Sequence, residues 1–130
     1  MNWTIKYIKS DQYVKVTCNG NFSIEELPEC FKKLFTSPFW KPGMNLLVDN
    51  QNLTLHLWNL EKMRTASDDY EIVSGQLGEG KMALLMKSCV NYGFGRQFQT
   101  LSEGKGQSEI RIFNDEQKAK DWMHEKVNVF

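Results

Sequence analysis

The stretch Leu46-Leu47-Val48-Asp49 is a short, continuous apolar run that ends at an aspartate. A strand that is apolar at successive positions buries both of its faces, which is typical of a central parallel strand covered by helices. The stretch Met82-Ala83-Leu84-Leu85-Met86 has the same character. The two runs therefore predict the middle of a sheet, with Val48 and Leu84 buried between layers of helices.

The residues before the first central strand predict a hairpin followed by a helix. Positions 3–7 and 14–18 alternate apolar with polar side chains, which indicates two strands with one face on the core. Ser23 and Glu26 have the spacing of a capping box. Pro28 lies just inside the apolar pattern that follows, so the regular helix is predicted to start close to it.

The residues after that strand alternate helices with strands. A long helix is predicted from about Asn59 to Gln76, and a shorter one carries Phe94, Phe98 and Leu101. A last strand follows over 110–113. Asn114 is predicted to cap the final helix, whose inner stripe comprises Ala119, Trp122, Met123 and Val127. The order is ββαβαβαβα, so we predict an α/β protein with a single mixed β-sheet of about five strands, an N-terminal hairpin and four helices.

Length and composition favour one domain that spans residues 1–130. On folding, a chain of 130 residues buries roughly two-thirds of the surface that the unfolded chain exposes, so it needs no disulfide or metal to fold. Sixteen basic residues balance sixteen acidic ones, which gives no reason to expect nucleic acid as a partner. The three cysteines lack zinc-ligand spacing, and no secretion signal precedes them, so a cytoplasmic location is expected. No apolar segment is long enough for membrane insertion.

Several short features of the chain, together with the element order, resemble one known family. They are Trp3 in the opening hairpin, Gly20 before the first helix, Trp40-Lys41-Pro42-Gly43 leading to Leu46-Leu47-Val48-Asp49, Lys81-Met82-Ala83-Leu84-Leu85, and Ile112-Phe113-Asn114-Asp115 with Ala119 and Trp122. This set resembles the STAS domain of anti-sigma-factor antagonists and sulfate transporters, and in particular its free-standing, sporulation-antagonist-like bacterial branch. The resemblance covers essentially the whole chain. It implies the α/β fold described above, which is compared with CRAL-TRIO lipid carriers, and a regulatory role through protein contact.

The residues after Asp49 depart from the phosphoswitch members of that family. Those members carry an Asp-Ser-type pair at the start of the helix that follows the third strand. Here residues 49–59 contain no serine, and Thr54 is the one hydroxyl, in an apolar setting before the helix. We therefore expect a STAS-like module without the serine phosphoswitch.

The same segment is the first candidate site, because apolar residues alternate along it after a central strand. They are Leu53, Leu55, Leu57 and Trp58, and Asp49 precedes them. Open α/β sheets bind ligands at the carboxyl ends of their strands. The segment is open to three interpretations: a lid over an apolar cavity, a hydrophobic patch for a protein partner, or an extended segment or edge strand that closes the core.

Two glycine-rich stretches are candidate phosphate or anion sites. Residues 75–81 have the glycine and lysine spacing of a P-loop, but a helix precedes them and a strand follows, which is the reverse of a P-loop. They are predicted to be a helix-to-strand connection with a glycine C-cap. Residues 92–96 are predicted to open a helix, where free N–H groups and Arg96 form a candidate anion site. The alternative is that Arg96 only pairs with an acidic neighbour. Tyr92, Phe94 and Arg96 also belong to the candidate ligand or partner surface.

Catalytic arrangements are not found in the sequence. His56 and His124 lack metal-ligand spacing, and Asp68-Asp69 point to different sides of a helix. Cys89 follows a central strand, and the sequence identifies no base that is positioned to activate its thiol. No enzymatic activity, metal or cofactor is therefore predicted.

Two functions are favoured at this stage, and an enzyme that uses Cys89 or an anion site at Arg96 is the remaining alternative. The first is a non-catalytic regulatory module that binds a protein partner or forms a homodimer, through residues 53–58 and 92–96. The second is a carrier or sensor of a small apolar or lipid ligand, with a pocket lined by Leu55, Leu57, Trp58, Phe94 and Phe98.

Overall fold

A five-stranded sheet with four helices makes up the described part of the chain. The computed structural model describes residues 1–55 and 58–125. The strands are β1 (Asn2–Ile8), β2 (Tyr13–Asn21), β3 (Asn45–Thr54), β4 (Lys81–Leu85) and β5 (Glu109–Phe113). The helices are α1 (Leu27–Thr36), α2 (Leu60–Leu77), α3 (Cys89–Ser102) and α4 (Glu116–Met123), and a turn of 3₁₀ helix, Ile24–Glu26, precedes α1. The predicted order ββαβαβαβα is confirmed.

The strands lie in the sheet in the order of the chain, β1-β2-β3-β4-β5. β1 pairs antiparallel with β2, and every later pair is parallel. Right-handed crossovers between successive parallel neighbours place all their helices on the same face of a sheet. Accordingly α1, α2 and α3 pack on one face in the larger core cluster, while α4 packs on the other face in the smaller one.

Burial of both faces of β3 and β4 accounts for the two apolar runs. Leu46 faces α1–α3 and is 3% exposed, whereas Leu47 faces α4 and is fully buried. Leu84 is also buried, as predicted. Val48 packs against the larger core but is only half-buried, and it lines a cavity on that face.

Three predictions about element ends are wrong. Ser23 does not cap a helix, because its hydroxyl donates to the Glu25 carboxylate at 3.1 Å. β3 does not end at Asp49 but continues to Thr54. Asp115, not Asn114, caps α4, since its carboxylate accepts from the Lys118 N–H at 3.0 Å. The inner stripe of α4 is confirmed for Ala119, Trp122 and Met123, while Val127 lies outside the described residues.

The helix-to-strand connection predicted over 75–81 is confirmed. Gly78 is the C-cap of α2 with φ of 79°, a left-handed conformation that favours glycine. The N–H of Gly43 donates to the Leu77 carbonyl at 2.8 Å, so the backbone before β3 runs directly against this turn. A Cβ atom on Gly78 would collide with the backbone of Gly43.

Gly78→Ala is expected to lower the free energy of unfolding by about 2 kcal/mol or more, because both its φ angle and the Gly43 backbone oppose a side chain. Gly75→Ala is the matched control. It lies in α2 with open space around it, so the same change is expected to raise stability by about 0.5–1 kcal/mol. Urea unfolding measures both. Equal effects of the two changes would contradict this account of the turn.

Candidate ligand-binding site

A cavity of about 140 Å³ lies between the sheet and helices α1–α3. Its walls come from β2, β3, β4, all three helices and the segment that follows β3. They are almost wholly apolar, and no charged side chain is among the described residues that line it. An engineered cavity of roughly 150 Å³ lined by aliphatic and aromatic side chains stays dry and binds benzene or xenon. The present cavity is therefore large enough for a small organic molecule.

A bulge in β3 directs the residues after Asp49 into this cavity. Thr17 of β2 lies opposite Asp49, but Asn19 lies opposite Asn52, so β3 contains one extra residue between these pairs. Before the bulge, even-numbered residues such as Leu46 and Val48 face α1–α3. After it, the odd-numbered Leu53 and Leu55 do so. The bulge thus changes which side chains of the strand reach the helix-covered face.

Hydrogen bonds from two neighbouring elements fix the backbone of the segment after the bulge. The N–H of Phe22 donates to the Thr54 carbonyl at 2.8 Å, and the Asn91 side chain of α3 donates to the Leu53 carbonyl at 3.2 Å. Leu53 is 5% exposed and Leu55 is half-buried. Among the three interpretations of this segment, the structure supports an extended segment that closes the core and also forms a cavity wall.

Trp58 completes this wall with an aromatic cluster. Its ring packs edge-on against Phe22, with centroids 4.8 Å apart, and lies 6.4 Å from the ring of Phe94. Phe98 lines the cavity one turn further along α3. Four of the five residues predicted for an apolar pocket thus lie around one cavity. The fifth, Leu57, lies outside the described residues, as does His56.

Asn50 Oδ1 and Trp58 Nε1 are buried atoms of two residues around the cavity, and neither has a hydrogen-bond partner within 1–55 and 58–125. Leaving such an atom unsatisfied costs about 1–3 kcal/mol, and native proteins contain few of them. Asn50 was not predicted as a site residue, because the strand was predicted to end at Asp49. A polar residue on the inward side of a strand is the sequence signal for such a position. The inward orientation of Asn50 becomes visible only once the length of β3 and its bulge are known.

Asp49 does not belong to this cavity, although it was predicted as part of the same surface. It lies on the α4 face of the sheet, is 8% exposed and accepts hydrogen bonds from the backbone and side chain of Gln51, each at 3.1 Å. Lys15 approaches its carboxylate at 3.8 Å and binds Glu116 of α4 at 2.7 Å. Asp49 therefore takes part in attaching α4 to the sheet.

The structure does not place residues 92–96 at a helix N-terminus, which the predicted anion site requires. α3 begins at Cys89, and Ser88 caps it by accepting from the Asn91 N–H at 3.0 Å. Residues 92–96 lie inside the helix, where backbone N–H groups bond the preceding turn, as Tyr92 does to the Ser88 carbonyl at 2.8 Å. The prediction that these residues open the helix is wrong. Arg96 is exposed on its outer side, while Tyr92 packs against the core.

The cysteines divide between the cavity and the surface. Cys18 and Cys30 are buried in the cavity wall, and Cys89 is exposed at the start of α3. The hydrogen bond with the Cys30 thiol, together with burial, raises the pKa of Cys18, so this thiol stays protonated at neutral pH. No group of three or more His, Cys, Asp or Glu side chains is placed to hold a metal ion within 1–55 and 58–125. Across the same ranges, no helix is both long and apolar enough to cross a membrane.

Glu116→Gln is expected to lower stability at pH 7 by less than about 1 kcal/mol, because the Lys15–Glu116 pair is partly exposed. The hydrogen bond from Lys15 lowers the pKa of Glu116 below its ordinary value of 4.5. The pair's contribution is therefore complete above that value and disappears as pH falls through the lowered pKa. Urea unfolding of both proteins from pH 7 to pH 3 measures this. A stability difference that grows as pH falls would contradict the assignment.

The strands follow the order of the chain, the first two form a hairpin, and α4 covers the second face of the sheet. This architecture defines a SpoIIAA-like, STAS-like α/β fold. Among solved structures, the chain is similar to an uncharacterized protein of the DUF3478 family with a SpoIIAA-like fold from Shewanella loihica PV-4. The TM-score is 0.60 with 14% sequence identity, and the match covers 94% of this chain and 92% of that one. The fold implied by the sequence resemblance is thereby confirmed. No protein-family model matches the chain, and no curated protein does.

Proposed function

We propose that this chain is a non-catalytic, STAS-like module that binds a small, mostly apolar molecule in the cavity between the sheet and α1–α3. The cavity carries the proposal, since residues on both sides of the β3 bulge form one continuous apolar wall. The STAS-like fold supports a non-catalytic role. The three free cysteines support a reducing compartment such as the cytoplasm.

The energetic cost of the cavity supports a ligand-binding role. The cavity is partly open to solvent, and the apolar side chains around its volume of about 140 Å³ lack packing partners on the side that faces it. A ligand of suitable size restores the lost packing contacts and removes apolar surface from water. A volume near that of a cavity that binds benzene favours a ring or a short chain over a complete long-chain lipid.

Toluene is expected to bind in this cavity with a dissociation constant between about 1 μM and 1 mM, the range open to a ligand of this size. NMR titration should shift the signals of Leu53, Leu55, Phe94 and Phe98. If toluene added to saturation leaves these signals unshifted, binding in this cavity is contradicted.

Ala66→Leu tests whether the cavity is where toluene binds. Ala66 is buried in α2 and lines the cavity, so the added carbons should weaken toluene binding at least about tenfold while raising stability by about 0.5–2 kcal/mol. Ile72→Ala is the control, because Ile72 is 80% exposed and should leave binding unchanged. Undiminished binding by Ala66→Leu would place the ligand elsewhere.

The fold also supports a second candidate, a regulatory module that acts through contact with a protein partner or a second copy of the chain. Because Leu53 and Leu55 face the cavity, the contact surface would comprise residues outside the predicted apolar segment, such as Val90 of α3, which is 67% exposed. Sedimentation velocity over a range of concentrations tests the homodimer. A dimeric mass supports it, and a monomer throughout rejects it.

A further inference from the structure

Cys18 and Cys30 are two buried thiols that meet although they come from different layers of the fold. Cys18 lies in β2 and Cys30 in α1, and both residues line the cavity between the sheet and the helices. They are 6% and 9% exposed, and a hydrogen bond joins their thiols. A disulfide forms between thiols that are already in contact, so this pair differs from a single buried cysteine, which acts as a small apolar residue.

The backbone around Cys18 leaves room for the pair to approach further. The ladder between β2 and β3 is regular up to Thr17 and resumes at Asn19, so it is interrupted at Cys18, opposite the bulge. The cavity adjoins both cysteines and separates the sheet from α1. The two sulfur atoms can therefore close to the disulfide bond length of about 2.05 Å without displacing other packed side chains.

Cys30 is the more acidic thiol of the two. It is the fourth residue of α1, and helical side chains point toward the helix N-terminus, where the helix dipole favours a thiolate. The hydrogen bond from the Cys18 thiol lowers the pKa of Cys30 below its ordinary value of 9.0, although burial opposes this. Because the thiolate is the form that attacks an oxidant, Cys30 is the thiol that reacts first.

We propose that Cys18 and Cys30 form a reversible oxidation site, at which hydrogen peroxide converts the two thiols into an intramolecular disulfide. The cavity is partly open to solvent, so a molecule as small as hydrogen peroxide reaches its wall. The disulfide would tie α1 to the sheet, and a thiol reductant would reverse it. This inference does not depend on the proposed function, because it concerns the protein's own thiols and requires no ligand.

The oxidation proceeds in two steps. The Cys30 thiolate attacks one peroxide oxygen, so that an S–O bond forms, the O–O bond breaks and the departing hydroxide takes up a proton to become water. Cys30 is then a sulfenic acid. The Cys18 sulfur attacks the Cys30 sulfur, the S–S bond forms, the S–O bond breaks, and the thiol proton of Cys18 leaves with the hydroxide as a second water. The two thiols lose two electrons, and the peroxide gains both.

Cys89→Ser is the protein for the test, because it removes the exposed cysteine and leaves only the pair. The folded protein is treated with hydrogen peroxide at neutral pH and then with catalase, unfolded in urea and alkylated with N-ethylmaleimide. Both thiols should disappear together, and mass spectrometry of the peptides should find Cys18 linked to Cys30 within one chain. Dithiothreitol should restore both thiols.

Two further variants, Cys18→Ser and Cys30→Ser, are made in the same Cys89→Ser protein to test the order of the steps. Without Cys18, the sulfenic acid on Cys30 should persist and be trapped by dimedone. Without Cys30, Cys18 should be trapped at least about tenfold more slowly, because its thiolate is rarer. An equal or faster reaction at Cys18 would overturn the assignment of Cys30 as the attacking thiol.

The exposed Cys89 of the wild-type protein sets the peroxide dose. If a dose that oxidises Cys89 leaves both thiols of the Cys89→Ser protein open to alkylation, the proposed oxidation site is rejected. A disulfide between two chains, or a sulfenic acid on Cys30 beside a reduced Cys18, also rejects it. None of these results concerns ligand binding, so the proposed function would stand in each case.

Discussion

The bulge in β3 is the constraint on which the site depends. A regular strand would continue to direct even-numbered residues toward α1–α3, and Asn52 and Thr54 would then face the helices. One extra residue between Asp49 and Asn52 reverses this alternation, so that Leu53 and Leu55 face the helices instead. Because the period of a strand is two residues, a single insertion is enough to exchange the two faces. An apolar wall can therefore continue past a polar stretch of sequence.

The connectivity of the sheet determines where the cavity forms. Successive right-handed crossovers place α1, α2 and α3 on one face, and the cavity lies between these helices and the sheet. Helix α4 alone covers part of the opposite face, where the polar residues Lys15, Asp49 and Glu116 interact beside it. The two faces of the sheet thus differ in chemistry: one encloses an apolar volume, and the other has an ion-pair cluster.

The sequence predicted the elements whose burial pattern is uniform. The runs 46–48 and 82–86 are apolar at every position, and both belong to strands that bury side chains on two faces, with Val48 half-buried and Met86 directly after the end of β4. The end of β3 could not be predicted, because Asn50, Gln51 and Asn52 interrupt the apolar pattern and pairing with β2 sustains the strand. Residues 92–96 were predicted to open a helix, yet Gly95 lies inside α3, where its lack of a side chain allows the helix to approach Ile112 of β5 closely. A Cβ atom there would lie 3.1 Å from the Ile112 side chain.

The most direct measurement of the central claim is a crystal structure of the protein under xenon pressure. Xenon enters dry apolar cavities and is visible by its electron density. This account predicts a xenon site enclosed by Leu53, Trp58, Phe94 and Phe98. A structure in which Trp58 fills that volume and no xenon binds there would contradict it.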